Sequence, residues 1–322
     1  MKFHLSRSEP LRTLKENLDF YQEHEMNVEI RLTDAEFNRE IPVRELEALE
    51  EELRERKIGV FCHLPFHGLH LSCPDPRVMT YSREVLMEGL EIGGILGCRV
   101  AVLHSGFSNH VRPNQIEEWK ERLIVSLREM VTAAEEEEIV LAIENAYEPD
   151  AQVLEQVLSA INSPWLRFCV DLGHAACFSR MAPEEWIYAF KDHLISLHVH
   201  DNEGMEDEHL ACGRGVVGYD QVFQACKEID VSCNVTLEVG NDDIGPSIEH
   251  LKEVGFEFVK GPVPLERILP TLEETEVEAE EQKEQGAAQE HKEQDASQET
   301  APETAPENAP ESIPAKAPEK TS

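Results

Sequence analysis

The chain has 322 residues, with 65 acidic against 29 basic side chains and a formal net charge of −36. A body this acidic repels phosphate backbones at long range, which disfavours extended nucleic-acid binding without excluding a small phosphorylated substrate. No apolar run approaches the roughly 18–20 residues of a membrane span. No secretory signal opens the sequence and the eight cysteines include no C-x-x-C pair, so a reducing cytoplasm is expected.

Strand and helix signals alternate. Lys2–Leu5 predicts a short strand, and Leu11, Leu14 and Leu18 recur at helical spacing behind Pro10, which suits a helix's first turn. Val28–Leu32 is the second strand, before a charged-faced helix through Leu46, Leu49 and Leu53. Ile58–His63 is the third, followed by a helix through Val85, Leu86, Leu90 and Ile92. Arg99–His104 is the fourth, before a long helix from about Asn114 to Glu136. Ile139–Glu144 is the fifth, and Val153, Leu154, Val157, Leu158 and Ile161 form the next apolar face. Arg167–Asp171 is the sixth, ahead of a helix starting near Pro183. Leu194–His198 is the seventh, and a Tyr219–Cys226 helix leads to the eighth at Asn234–Glu238. A helix around Ile248–Val254 closes the ring.

Eight strands interleaved with helices in about 260 residues match an α/β fold of the (β/α)8 TIM barrel type. The strand runs lack clean polar alternation, as expected for parallel strands covered on both faces. A doubly wound open sheet is the rival arrangement. After about Leu265, Glu, Gln, Ala and Pro dominate and Ala-Pro recurs, a composition unable to offset the cost of chain ordering. The expected organisation is a barrel over residues 1–262 and a disordered acidic Pro/Ala/Glu-rich C-terminal tail over 263–322, with a solvating, spacing or partner-binding role.

Ligand-type side chains end six of the strand runs: His63, His104, Glu144, Asp171 with His174 close behind, His198 and Glu238. Strand ends on one rim of a barrel are where loop-borne chemistry sits. Glu144, Asp171, His198 and Glu238 combine three carboxylates and one imidazole, a set suited to a divalent metal such as Mn²⁺, Mg²⁺, Co²⁺ or Zn²⁺. Each taken singly reads equally well as a buried ion pair, but four converging without a cation would leave like charges unpaired. His63, His104, His174, Asp207 and His209 are candidates for a second metal or for substrate binding. His200 is a loop or functional histidine, and His67 and His70 are loop residues. Gly213-Arg214-Gly215 offers backbone amides and one guanidinium for a phosphate or sugar hydroxyl.

His63-Leu64-Pro65-Phe66, Leu103-His104-Ser105-Gly106, Ile143-Glu144-Asn145, Val170-Asp171-Leu172-Gly173-His174-Ala175, Leu197-His198-Val199-His200-Asp201-Asn202, Asp207-Glu208-His209-Leu210 with Gly213-Arg214-Gly215, and Leu237-Glu238 form an ordered set. That set, spanning roughly residues 58–240, resembles the xylose-isomerase-like TIM barrel superfamily, which joins sugar phosphate isomerases and epimerases with endonuclease IV-related nucleases. On the isomerase branch the resemblance implies one divalent ion on Glu144, Asp171, His198 and Glu238. Glu144 and Glu238 would shuttle a proton through an enediolate, and His174 and Arg214 would contact the sugar or sugar-phosphate substrate. On the nuclease branch it implies three zinc ions on those four residues together with His63, His104, His174, Asp207 and His209. The acidic body and the Glu144-Asn145-Ala146-Tyr147 and Asp171-Leu172-Gly173-His174 sequences favour the sugar enzyme. A homodimer is in keeping with barrels of this type.

Overall fold

The computed structural model describes residues 1–32, 41–108 and 110–264; the expected tail lies, from residue 265 onward, outside them. Within this range the strands are β1 (Lys2–Pro10), β2 (Asn27–Arg31), β3 (Val60–His63), β4 (Val100–His104), β5 (Val140–Glu144), β6 (Leu166–Asp171), β7 (Leu194–Val199), β8 (Ser232–Leu237) and β9 (Phe258–Val259). The helices among the described residues are α1 (Leu11–Leu14), α2 (Leu18–Glu23), α3 (Val43–Glu55), α4 (Pro76–Ile95), α5 (Ile116–Glu136), α6 (Gln152–Ile161), α7 (Leu172–Phe178), α8 (Pro183–Ala189), α9 (Tyr219–Glu228) and α10 (Ile244–Val254).

Strands β1 to β8 pair in parallel with their sequence neighbours, and β8 pairs with β1, so the sheet closes into an eight-stranded barrel. The closure excludes the open doubly wound sheet. β9 lies against Phe3 and His4 of β1, below the point where β2 begins its own pairing at Ser6. There Gly261 O accepts from Asn27 Nδ2 at 3.0 Å, tying the barrel floor to the chain after β9.

Two elements depart from the sequence expectation. β1 runs on to Pro10, beyond the expected strand Lys2–Leu5; Ser6, Arg7, Ser8 and Glu9 are all buried and pair in register with β2. Tertiary partners make this possible, since Arg7 and Glu9 form an ion pair at 3.1 Å and Tyr21 donates to Glu9. α7 is a short helix invisible to periodicity, started by Asp171, whose Oδ1 accepts from His174 N at 2.6 Å as an N-cap.

The helices bury stripes at their 3.6-residue period. α5, for example, buries Trp119, Leu123, Leu127, Met130 and Ala134 against the barrel. Each fully buried leucine of this kind contributes about 1.5–3 kcal/mol relative to an exposed one.

The barrel interior is divided. Phe61, Val100, Val102, Val140, Ala142, Cys169 and Ile195 form its apolar part, with Val263 packed against them. On β1, β2 and β8 the interior is polar. Ser6 Oγ donates to Asn234 Oδ1 (2.6 Å), Asn234 Nδ2 to Thr236 Oγ1 (2.8 Å), and Thr236 Oγ1 to Glu29 Oε2 (2.8 Å). This chain of hydrogen bonds climbs toward the strands' C-terminal ends, where the candidate residues converge.

Candidate metal centre

Glu144 ends β5 and is the hub of the cluster. Its Oε2 lies 3.1 Å from both His63 Nε2 at the end of β3 and His104 Nε2 at the end of β4. Its Oε1 lies 3.1 Å from His198 Nδ1 and 3.4 Å from His174 Nδ1. Burial works against the charge of Glu144, but His198 and His104 outweigh it and hold the carboxyl well below its ordinary range. His63 is raised despite burial, by Glu144 and Glu29, whereas burial prevails at His104 and lowers it.

The β5 and β6 ends are locked together by Asn145. Its Oδ1 accepts from Asp171 N (2.9 Å) while its Nδ2 donates to Asp171 O (2.8 Å). Asp171 Oδ2 lies 3.2 Å from His200 Nε2 and 3.8 Å from His198 Nδ1. Position 173 must be glycine for this approach, since a Cβ there would fall 2.0 Å from His200 Cε1. His200 is thereby inside the cluster and fully buried.

His198 stands between two groups of carboxylates. Its Nδ1 faces Glu144, Asp171 and, at 3.7 Å, Glu238 Oε1. Its Nε2 lies 3.0 and 3.2 Å from the two oxygens of Glu29, a fully buried residue of β2. Burial disfavours a charge on either, yet His198 is pushed well up by Cys169 and Glu29 and Glu29 is pulled down by His198. Sequence reasoning overlooked Glu29 because it sits inside Val28-Glu29-Ile30 rather than at a strand end. A carboxylate flanked by apolar residues on an inward strand face was the available signal.

Beyond β7, Asp207 Oδ2 lies 3.1 Å from His209 Nε2 and 3.3 Å from His174 Nε2. Asp207 is held below its ordinary range against burial by these two imidazoles. Burial opposes a charge on His209 as well, but Asp207 and Glu238 push it up to about 9. The residue adopts φ 53°, a left-handed backbone that a non-glycine side chain adopts at a cost, and its Nδ1 is 2.6 Å from Glu238 O. Its ring stacks on His200 with centroids 4.0 Å apart.

Arg214 is not brought to this cluster. Its side chain is exposed and lies 3.3 Å from Asp243. The surrounding Gly-x-Gly loop is wrapped instead around buried Asp201, whose carboxylate accepts from Asn202, Gly213 and Val217 amides. A Cβ at Gly215 would fall 2.0 Å from Asn202 O, so that glycine serves loop packing. The expectation that Arg214 reaches substrate is corrected accordingly.

Above the cluster opens a cavity of about 520 Å³. Glu144, His63, His104, His174, Asp207, His209 and Glu238 reach it from the cluster, and Phe66, His67, His70 and Tyr147 line its sides. Phe66 stacks on His104 with centroids 4.4 Å apart. Arg31, from the end of β2, is the one arginine or lysine on its wall among the described residues. His67 and His70 are on a loop, as expected, but face this space. Asp171, His198, Glu29 and His200 lie beneath it, fully enclosed.

These donors suit a divalent cation. Glu144, Asp171 and His198 each place a ligand atom within 4.8 Å of the others; so do His63, His104 and Glu144, and Glu29, His198 and Glu238. Two further groups, Asp171, His174 and His200, and His200, His209 and Glu238, meet the same test. Mixed carboxylate and imidazole donors fit Mn²⁺, Co²⁺ or Zn²⁺ and accommodate Mg²⁺.

The sequence profile of the xylose isomerase-like TIM barrel family matches residues 26–278. The chain belongs to that family. Among solved structures, the TTHB071 protein of Thermus thermophilus, soaked with zinc chloride, is 29% identical, covering 79% of this chain and 98% of that one at a TM-score of 0.66. A D-tagatose 3-epimerase-like protein is 25% identical, covering 79% and 97% at a TM-score of 0.67. The uncharacterized protein MJ1311 of Methanocaldococcus jannaschii is 29% identical over 215 residues, 63% of this chain and 72% of that protein. Among the described residues no helix is long and apolar enough to cross a membrane.

Proposed function

We propose that the protein is a divalent-metal-dependent sugar or sugar-phosphate isomerase or epimerase acting through an enediolate of its substrate. The observation that carries the reading is the convergence of Glu144 and Glu238 on His198 Nδ1, 3.1 and 3.7 Å away, with both glutamates lining the cavity. The D-tagatose 3-epimerase-like relative and the zinc-soaked relative support it.

Glu144, Asp171, His198 and Glu238 would hold the ion. Bound there, the ion supplies Lewis-acid polarisation of a carbonyl oxygen, which acidifies the neighbouring C–H. The two glutamates then exchange a carbon-bound proton, one carboxylate removing it and the other returning it. Glu144 is bound on both oxygens by imidazoles, whereas Glu238 is approached by His198 at 3.7 Å. His174, whose ring reaches the cavity, would orient a substrate hydroxyl. Phe66 stacks over His104 at the cavity wall.

The second reading is an endonuclease IV-like zinc phosphodiesterase. It is favoured by one observation, the additional donors His63, His104, His174, Asp207 and His209 gathered around the same floor.

Incubation with a panel of ketoses and ketose phosphates in deuterated water separates the two. Carbon-bound deuterium in recovered sugar, with about one divalent ion per chain, is the expected result. Cleavage of an abasic-site duplex without exchange, with two or three ions per chain, would reverse the order.

A further inference from the structure

We propose that Arg31 and the wall around it form the seat for an anionic group of the substrate, a phosphate or a carboxylate. The inference rests on the isomerase reading for the identity of the rest of that substrate, but its own grounds are separate.

Glu29 and Arg31 share the inward face of β2, because strand side chains alternate, and Glu29 touches His198 and Thr236 inside the barrel. Arg31 stands two residues nearer the mouth, in register with His63 of β3, and lines the cavity. Its Nε is buried without a hydrogen-bond partner. On the adjoining strand Ser8, in register with Glu29, also has a buried Oγ without a partner, although Ser6 on the same face is bonded to Asn234. Other buried polar atoms without a partner include Arg7 Nε and Glu29 Oε1 on the same two strands and His200 Nδ1 and Asp207 Oδ1 in the cluster, but among the described residues Arg31 Nε is the unpartnered donor on a residue that lines the cavity.

An enclosed donor is costly unless a ligand satisfies it. No carboxylate of the cluster takes that place: Glu144, Asp171, Glu29 and Asp207 are each engaged by imidazoles, and Glu238, on the same cavity wall, makes no hydrogen bond to Arg31 Nε. A guanidinium offers a planar fork matching phosphate or carboxylate oxygens in pairs. In a chain of net charge −36, a local cation is what admits an anion to the cavity. Among the described residues, Arg7 and Arg214 are committed elsewhere. Arg7 points outward to Glu9, Asn241 and the ring of Phe20, and Arg214 pairs with Asp243.

The test uses the full chain carrying the divalent ion with which it purifies, and compares wild type with Arg31→Gln, Arg31→Lys and Arg214→Gln. Calorimetric titration with inorganic phosphate and with acetate is expected to show at least a tenfold loss of affinity in Arg31→Gln for one anion. Arg31→Lys should retain part of it and Arg214→Gln all of it. Whichever of phosphate and acetate responds identifies the group. Equal affinities in wild type and Arg31→Gln for both anions would overturn the proposal, whatever the fate of the isomerase reading. In deuterated water, Arg31→Gln should lose kcat/KM at least tenfold on ketose phosphates or keto-acid sugars and not on neutral ketoses. Best exchange on neutral ketoses, unchanged by the substitution, would remove the anion seat and leave the isomerase. Arg31-dependent anion binding with no exchange on any sugar would keep the seat and remove the isomerase.

Discussion

Glu29 and His198 face each other inside the barrel with no solvent contact, the Nε2 of the histidine 3.0 Å from the carboxylate. With Thr236 donating to the same carboxylate from below, Glu29 accepts an Nε2–H and leaves Nδ1 as the nitrogen directed at Glu144, Asp171 and Glu238. The pairing thus sets the ring's orientation, and a carboxylate so placed would fix the tautomer of an imidazole that binds a metal through Nδ1.

Glu29→Gln is therefore expected to weaken metal binding by about 10–100-fold. The amide can still accept from Nε2–H but supplies no charge. Competition against a chelator of known affinity measures this, with circular dichroism to confirm the fold. Unchanged affinity would show that His198 is oriented without Glu29.

Metal affinity should climb as pH rises above the ordinary imidazole value of about 6.5. His63, His174 and His198 are held above the ordinary imidazole value by the surrounding carboxylates, and His209 reaches about 9. His198, the imidazole of the proposed ion site, must lose its proton to bind an ion, so binding releases a proton above the ordinary imidazole value. Calorimetry in buffers of different ionisation enthalpy detects it. A pH-independent affinity would contradict the cluster's electrostatics.

The ion-free protein should show the opposite trend in stability. His209 has a folded value of about 9 against roughly 6.5 unfolded. A raised histidine contributes its full stabilisation below the unfolded value and loses it as pH rises through the folded one. Thermal melts of chelator-treated protein should accordingly fall in Tm between about pH 6.5 and 9, and His209→Gln should flatten that decline.

Gly173→Ala should destabilise the fold by roughly 1–3 kcal/mol, the usual range for overpacking, because its Cβ would collide with the His200 ring. Denaturant unfolding reads the loss. Added His200→Ala should recover part of it by removing the obstructing ring.

Glu238→Gln should lower carbon–hydrogen exchange by about 10²–10⁴-fold, the range for a lost acid–base group. Mass spectrometry of sugar recovered from deuterated water provides the measure. Retained exchange would transfer the role to another group.

Much of the scaffold was legible along the chain because burial imposes periodicity. The leucines of α3, the stripe of α5 and the apolar runs ending in His63, His104, Glu144 and Asp171 all announce themselves locally. β1 beyond Leu5 did not, since Ser6 and Glu9 become strand residues only when Asn234 and Tyr21 arrive from elsewhere in the chain. α7 was hidden for a related reason, being a helix that depends on a cap rather than on an apolar stripe.

The sequence by itself determined the order of strands and helices and the kinds of ligand at the strand ends, because side-chain period and residue chemistry are local properties. Only the closed barrel decided that Glu29 meets His198 across 169 positions, that His200 joins Asp171, and that Arg31 rather than Arg214 lines the cavity. Those outcomes follow from strand register and from which face of each strand turns inward, and both are set by pairing between segments distant in the chain.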